Sequence, residues 1–365
     1  MWWLAIMAVL FVVLAGIGVV LPLWRLSRLE DLSGLDSPTP LVHHRAPSEE
    51  NSRVLALIDQ VSEVTDGHHG KARLRALRRY MDSLSDGLEL ASACRIVQEP
   101  QGEWVIAPGA DTRRRVLYIH GGGWTAGSPR SHRAITDRLS HLARAAVFAV
   151  DYRLMPEHRF MDGVDDCREA YRWLLAHGPD EAAPAAFMLV AGDSAGGGHT
   201  LALLAWLRDS GLRQADGAVA FAPSTDLTLT APSNRANIAT DAMLGPMFGR
   251  LARLPRPLVW WMVLLVFRVS PANPTLSPLR GNLAGLPPVL IQASSTEMLR
   301  DNACRYAAKT RAAGSPVTLQ LWPGMVHVWQ MFTPLLPEAE EAFTEVAAFI
   351  NALDEDEGEG NAEPR

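Results

Sequence analysis

The spacing of apolar residues changes along this chain, and the changes mark out its parts. Residues 1–24 carry no charged side chain. About 20 apolar residues suffice for a helix to cross a hydrocarbon core, so this stretch predicts a transmembrane anchor. Trp2, Trp3 and Trp24 lie near its two ends, where amphipathic rings favour the membrane interface. No basic side chain precedes the run and no small-x-small site follows it, which favours an uncleaved anchor over a signal peptide. Ser37-Pro38-Thr39-Pro40 and Pro47 then mark an extended linker. Apolar residues at helical spacing predict helices over residues 52–64 and 71–83, separated by Asp66-Gly67. From residue 93 the pattern shifts to short apolar runs. Residues 95–97 and 104–106 read as opening strands, and 116–119, 146–150 and 187–190 as buried strands. Residues 218–221, 289–291 and 317–321 continue the set, and helices are expected over 134–144 and 165–177. Strands alternating with helices predict an α/β fold, with a mostly parallel sheet covered on both faces.

That alternation stops between residues 226 and 277, in a helical, proline-punctuated, apolar stretch. Residues 258–267 form an unbroken apolar run between Arg256 and Arg268, too short to span a bilayer. Three expectations stand for it: a lid that dips into a membrane, a lining for an acyl tunnel, or a buried cap helix. The acidic stretch over 353–365 lacks apolar periodicity and predicts a disordered tail. The chain thus divides into an anchor (1–24), a linker with N-terminal cap helices (25–92), a core in two pieces (93–225 and 277–352), a cap insertion (226–276) and the tail.

Charge and composition change this picture little. A net charge of −6 over 365 residues holds no basic excess, so nucleic acid is not an expected partner. Arg25 and Arg28 follow the apolar run, and with the basic stretch 71–79 they predict the bulk of the chain on the cytoplasmic side of a membrane. That basic stretch is open to two readings, a surface for anionic headgroups or a solvated helix face. Cys94, Cys167 and Cys304 are scattered and form neither a CxxC pair nor a disulfide framework. The pairs His43-His44 and His68-His69 lack partner cysteines and spaced carboxylates, so no metal site is expected.

The chemistry is carried by Gly192-Asp193-Ser194-Ala195-Gly196, which follows a predicted strand and opens a predicted helix. A serine in that setting is raised on a tight turn above the sheet, and the turn demands small neighbours. Its hydroxyl is a weak nucleophile until a base takes the proton. His120-Gly121-Gly122-Gly123-Trp124 directly follows another strand. Glycines there bring backbone N–H groups close to a substrate oxygen, so Gly122, Gly123 and Ala195 are the expected oxyanion donors. His120 is expected to tie down its loop rather than to act in catalysis, and Asp193 to shape the turn. The base belongs on a loop after a later strand, where His327 fits. The acid should fall between Ser194 and His327 in the chain. Glu297 is the favoured residue, with Asp301 as its competitor about one turn further on. Tyr152, Arg153 and Glu157 are expected to form a buried polar network behind the glycine loop, and Trp124, Trp260 and Trp261 either to line the pocket or simply to pack.

From about residue 95 to 350 the chain resembles the hormone-sensitive lipase family of α/β-hydrolases, which includes bacterial esterases and arylacetamide deacetylases. The likeness rests on His120-Gly121-Gly122-Gly123-Trp124, on the run from Asp151-Tyr152-Arg153-Leu154-Met155 through Pro156-Glu157-His158, on Gly192 to Gly196, on Glu297 to Asp301, and on Gly324-Met325-Val326-His327. The resemblance implies an eight-stranded α/β-hydrolase sheet, a cap built from N-terminal helices plus an insertion, and no cofactor. It also implies Asp where this chain has Glu297, and a small residue at Met155. The expected function is hydrolysis of small, apolar carboxylic esters through an acyl-enzyme on Ser194, with membrane lipid as a further partner through the anchor and the cap. An amide, lactone or carbamate hydrolase with the same triad is the alternative, followed by a non-catalytic ligand receptor on the same fold.

Overall fold

A computed structural model describes residues 2–3, 6–7, 20–21, 23–36, 39–86 and 93–360. Eight strands form one sheet: β1 (Arg95–Glu99), β2 (Gly102–Ile106), β3 (Asp111–Ile119), β4 (Ala145–Val150), β5 (Phe187–Asp193), β6 (Gly217–Phe221), β7 (Val289–Ser294) and β8 (Val317–Trp322). Their order is β1-β2-β4-β3-β5-β6-β7-β8. The pairs β1/β2 and β2/β4 are antiparallel, and every pair beyond is parallel. Each strand expected from the apolar runs is present. The central ones, β4 to β7, are buried along their whole length. Burial on both faces explains why they read as unbroken apolar runs rather than as alternating ones.

Alternate residues of each strand serve opposite cores. Leu117 and Ile119 face helices α4 (Phe160–Leu174), α5 (Ser194–Asp209) and α8 (Arg300–Ala312), packing with Tyr171, Leu204 and Tyr306. Val116 and Tyr118 face α3 (Arg133–Ala143) and α9 (Pro337–Gly360), packing with Leu139, Phe343 and Ile350. Two helices precede the sheet, α1 (Asn51–Thr65) and α2 (Gly70–Asp86). Between β6 and β7 the chain leaves the sheet for α6 (Leu244–Ala252) and α7 (Arg256–Phe267).

Two expectations about the chain ends need correction. No helix among the described residues is long and apolar enough to cross a membrane. Residues 1, 4, 5, 8–19 and 22 of the expected anchor lie outside the described residues. Apolar composition alone does not decide that a segment forms one spanning helix. The cytoplasmic orientation drawn from Arg25 and Arg28 falls with the anchor; both guanidinium groups rest on the Trp24 ring, at 5.4 and 4.0 Å from its centroid. At the other end, the stretch expected to be disordered from residue 353 extends α9 as far as Gly360. Leu353 is buried against the sheet and Asp354 pairs with Arg114 at 2.9 Å, so tertiary contacts hold the start of a segment whose composition favours solvent. Residues 361–365 lie outside the described residues.

Candidate active site

The sheet register gathers the motif residues. β3 and β5 are parallel neighbours, with Ile119 opposite Gly192. The loop after β3 and the turn after β5 therefore leave the sheet side by side. The turn is tight enough to hold Ser194 at φ 52°, left-handed backbone that costs a non-glycine residue about 1–2 kcal/mol. Its flanks have no room for a side chain: a Cβ on Gly192 would lie 2.6 Å from the Ile119 carbonyl oxygen, and one on Gly196 only 2.0 Å from it. The Ser224 N–H, after β6, donates to the Ser194 carbonyl at 2.9 Å and holds the turn from the far side. Ser194 also opens α5, so Ala195 contributes its N–H from the first turn, at the positive end of the helix.

β7 and β8 deliver the other two groups. Ser294 lies opposite Trp322 in their register, and the Ser294 hydroxyl donates to the Met325 carbonyl at 2.6 Å, pinning one loop to the other. His327 Nε2 lies 2.9 Å from Ser194 Oγ, and its Nδ1–H donates to Glu297 Oε2 at 2.5 Å. The second carboxylate oxygen of Glu297 accepts the Ser294 N–H at 2.6 Å. Both His327 and Glu297 are buried. Burial alone would lower the His327 pKa, but the Glu297 hydrogen bond and charge overcome it and raise the imidazole above its usual value. Asp301, the competing acid, is occupied elsewhere: it accepts the Ser233 N–H at 2.7 Å and pairs with Arg300.

On the other side of Ser194 the glycine loop is bent by Gly122 at φ 109° and Gly123 at φ 61°. A Cβ on Gly122 would meet the Ala126 carbonyl oxygen at 2.2 Å. Asp193 anchors this loop from below, accepting the Gly121 N–H at 2.9 Å and the Tyr118 hydroxyl at 2.6 Å on one carboxylate oxygen. His132 Nε2 lies 3.4 Å from that same oxygen, fully buried. His120 is structural: its ring stacks on Tyr152 at 4.4 Å, and its Nδ1–H donates to the Gly121 carbonyl at 2.8 Å. Burial, with His132 nearby, lowers its pKa to about 3 and keeps it neutral. Tyr152 donates to the His120 carbonyl at 2.9 Å, as a buried network behind the loop requires. Arg153 and Glu157 do not join it, since they pair at the surface with Asp166 and Arg78.

A cavity of about 190 Å³ opens over Ser194 and His327. Its walls come from α1 (Leu57, Ile58), α2 (Leu77, Tyr80, Met81) and the start of α6 (Leu244, Phe248), with Met331 and Phe332 beside His327. The apolar run of α7 does not line it. Val259 and Val263 instead pack with Trp124, Phe160 and Leu276, and Trp260 is buried as well, so the inner face of this run is that of a packed helix. Trp124 likewise packs, its ring edge-to-face with Phe267 at 5.1 Å.

Three residues that no motif signalled complete the surroundings. Arg78 of α2 donates through Nε to the Thr125 carbonyl at 2.7 Å and through its terminal nitrogen to the Met155 carbonyl at 3.0 Å, tying α2 to the glycine loop. Asp241 accepts the Met298 N–H at 2.7 Å and the Leu244 N–H at 2.7 Å, joining the Glu297 loop to α6. His132 is the third.

Residues 116–331 match the family model of the alpha/beta hydrolase fold. The chain is 39% identical over 248 residues to an acetyl-hydrolase of Streptomyces hygroscopicus, covering 68% of this chain and 78% of that protein. It is 35% identical over 280 residues to a carboxylesterase/phospholipase of Mycobacterium tuberculosis, covering 71% of this chain and 72% of the relative. Among solved structures, an esterase of the bacterial hormone-sensitive lipase family superposes with a TM-score of 0.72 at 32% identity, covering 85% of this chain and 99% of that one. A sheet of this order, a serine on a strained strand-to-helix turn and relatives of this similarity agree: the chain belongs to the alpha/beta hydrolase fold family, on its hormone-sensitive lipase branch.

Proposed function

We propose that this chain hydrolyses carboxylic esters of small, largely apolar molecules through an acyl-enzyme on Ser194, with His327 as base, Glu297 as its orienting acid, and the N–H groups of Gly122, Gly123 and Ala195 as the oxyanion hole. The observation that carries this assignment is the hydrogen-bonded series from Ser194 Oγ to His327 Nε2 and from His327 Nδ1 to Glu297. As Oγ attacks the ester carbonyl carbon, its proton passes to Nε2. The carbonyl oxygen takes the negative charge toward the three N–H donors, which gain strength as that charge develops. His327 then returns the proton to the departing alcohol oxygen, leaving the acyl group on Ser194. Water repeats the sequence: His327 takes its proton, the hydroxide portion attacks the acyl carbon, and the proton returns to Ser194 as the carboxylic acid leaves. Glu297 remains ionised throughout and stabilises the imidazolium.

The apolar walls of the cavity support an apolar substrate, and the contributions of α1, α2 and α6 to them support reading residues 25–92 and 226–276 as two halves of one cap. The relatives named acetyl-hydrolase and carboxylesterase/phospholipase agree with ester chemistry. Ser194→Ala is expected to lower kcat for a p-nitrophenyl ester by about 10⁶-fold in folded protein. Activity within tenfold of the parent chain would overturn the assignment.

A further inference from the structure

Helix α7 has two apolar faces, and the core uses only one. Val259, Trp260 and Val263 are buried beneath the helix. Leu258, Met262, Leu265 and Val266 recur at helical spacing on the outer side and are 47%, 39%, 71% and 61% exposed. Met247 and Phe248 of α6, the preceding helix, are exposed too, and both line the catalytic cavity. The same stretch is electrostatically one-sided. Residues 242–296 contain no Asp or Glu, in a chain whose net charge is −6. Arg250, Arg253, Arg256 and Arg268 are all exposed, and none forms an ion pair among the described residues. Ordinary protein surfaces mix the two signs. An apolar strip bracketed by unpaired arginines complements a surface that is apolar within and anionic at its rim.

We propose that the outer face of α7 and the arginines around it dock this enzyme onto an anionic phospholipid bilayer, which it touches without crossing. Twelve residues make a helix about 18 Å long, well short of a hydrocarbon core, so α7 lies in the plane of the interface. The four aliphatic side chains enter the acyl boundary while the guanidinium groups meet headgroup phosphates.

Co-sedimentation of the full chain with vesicles of phosphatidylcholine alone, or of phosphatidylcholine mixed with phosphatidylglycerol, tests this directly. Binding is expected to the anionic vesicles and to weaken with salt. Arg253→Gln with Arg256→Gln should weaken it about 25-fold, at roughly fivefold per arginine, and Leu265→Asp with Val266→Asp should abolish it. None of these residues lines the catalytic cavity, so each variant is expected to hydrolyse p-nitrophenyl acetate like the parent chain; that assay separates failure of docking from failure of the catalytic assignment. Equal vesicle binding by parent and variants would overturn the proposal, because other parts of the chain would then carry the binding. So would an α7-dependent dimer, seen by light scattering, that ignores vesicles.

Discussion

Each position at the site is constrained by a different physical cause. Gly192 and Gly196 are needed because the Ile119 carbonyl occupies the space of a side chain, Gly123 for its backbone angle, and Gly122 for both reasons. Glu297 carries one methylene more than the Asp that the family resemblance implies. It still reaches His327, and its second oxygen is held by the Ser294 N–H. Because Glu297 raises the His327 pKa and the base acts only when neutral, activity is expected to be full above that pKa. It should fall as pH drops through it, at a midpoint above the usual imidazole value of 6.5. Glu297→Gln should lower kcat by about 10⁴-fold and move that acid limb to lower pH, since burial then acts without its counterweight. The kcat of the variant checks the first effect and its kcat/KM–pH profile, which reports the free enzyme, the second; an acid limb unchanged from the parent would contradict the pairing. The motif serine, histidine and glycines were legible because their chemistry forces a local sequence. Arg78, Asp241 and His132 were not, since each acts through contacts between segments far apart in the chain.

Among the elements, those buried on both faces were the most legible. A parallel strand packed by helices on either side must be apolar throughout, and β4 to β7 read as such. Strand order was not legible: nothing local in β4 states that it lies between β2 and β3. The apolar run of α7 left several readings open, because an apolar run cannot distinguish a cavity wall from a packed helix with a second exposed face. The link from α2 to the glycine loop also escaped, since Arg78 reads as one basic residue among several. Its two hydrogen bonds to the Thr125 and Met155 carbonyls position that loop and α2 together. Arg78→Ala is expected to lower kcat/KM about tenfold, as loss of charge-assisted hydrogen bonds worth about 1.5 kcal/mol predicts. Arg78→Lys, which keeps the charge but not the forked geometry, should recover only part of the loss. Kinetics identical to the parent for both variants would show that the loop needs no tie to α2.

In the whole molecule, the topology carries the function. Because β3 and β5 are neighbours and β6 to β8 follow in order, the glycine loop, Ser194, Glu297 and His327 leave the same edge of the sheet, beneath walls supplied by chain segments before and within the core. Helix α9 closes the far face, with Phe343, Val346 and Ile350 packed under the strands that bear the site. The chain ends are the least legible parts: hydropathy and charge alone do not decide structure there, and at the C-terminal end tertiary contacts of Leu353 and Asp354 do. The central claim is that Ser194 is the activated nucleophile. The most direct measurement is labelling of the folded protein with a fluorophosphonate probe, followed by peptide mapping. One adduct is expected, on Ser194, and it should disappear in Ser194→Ala and slow sharply in Glu297→Gln. A folded, ester-hydrolysing protein that takes no label at Ser194, or takes it on another residue, would contradict the claim.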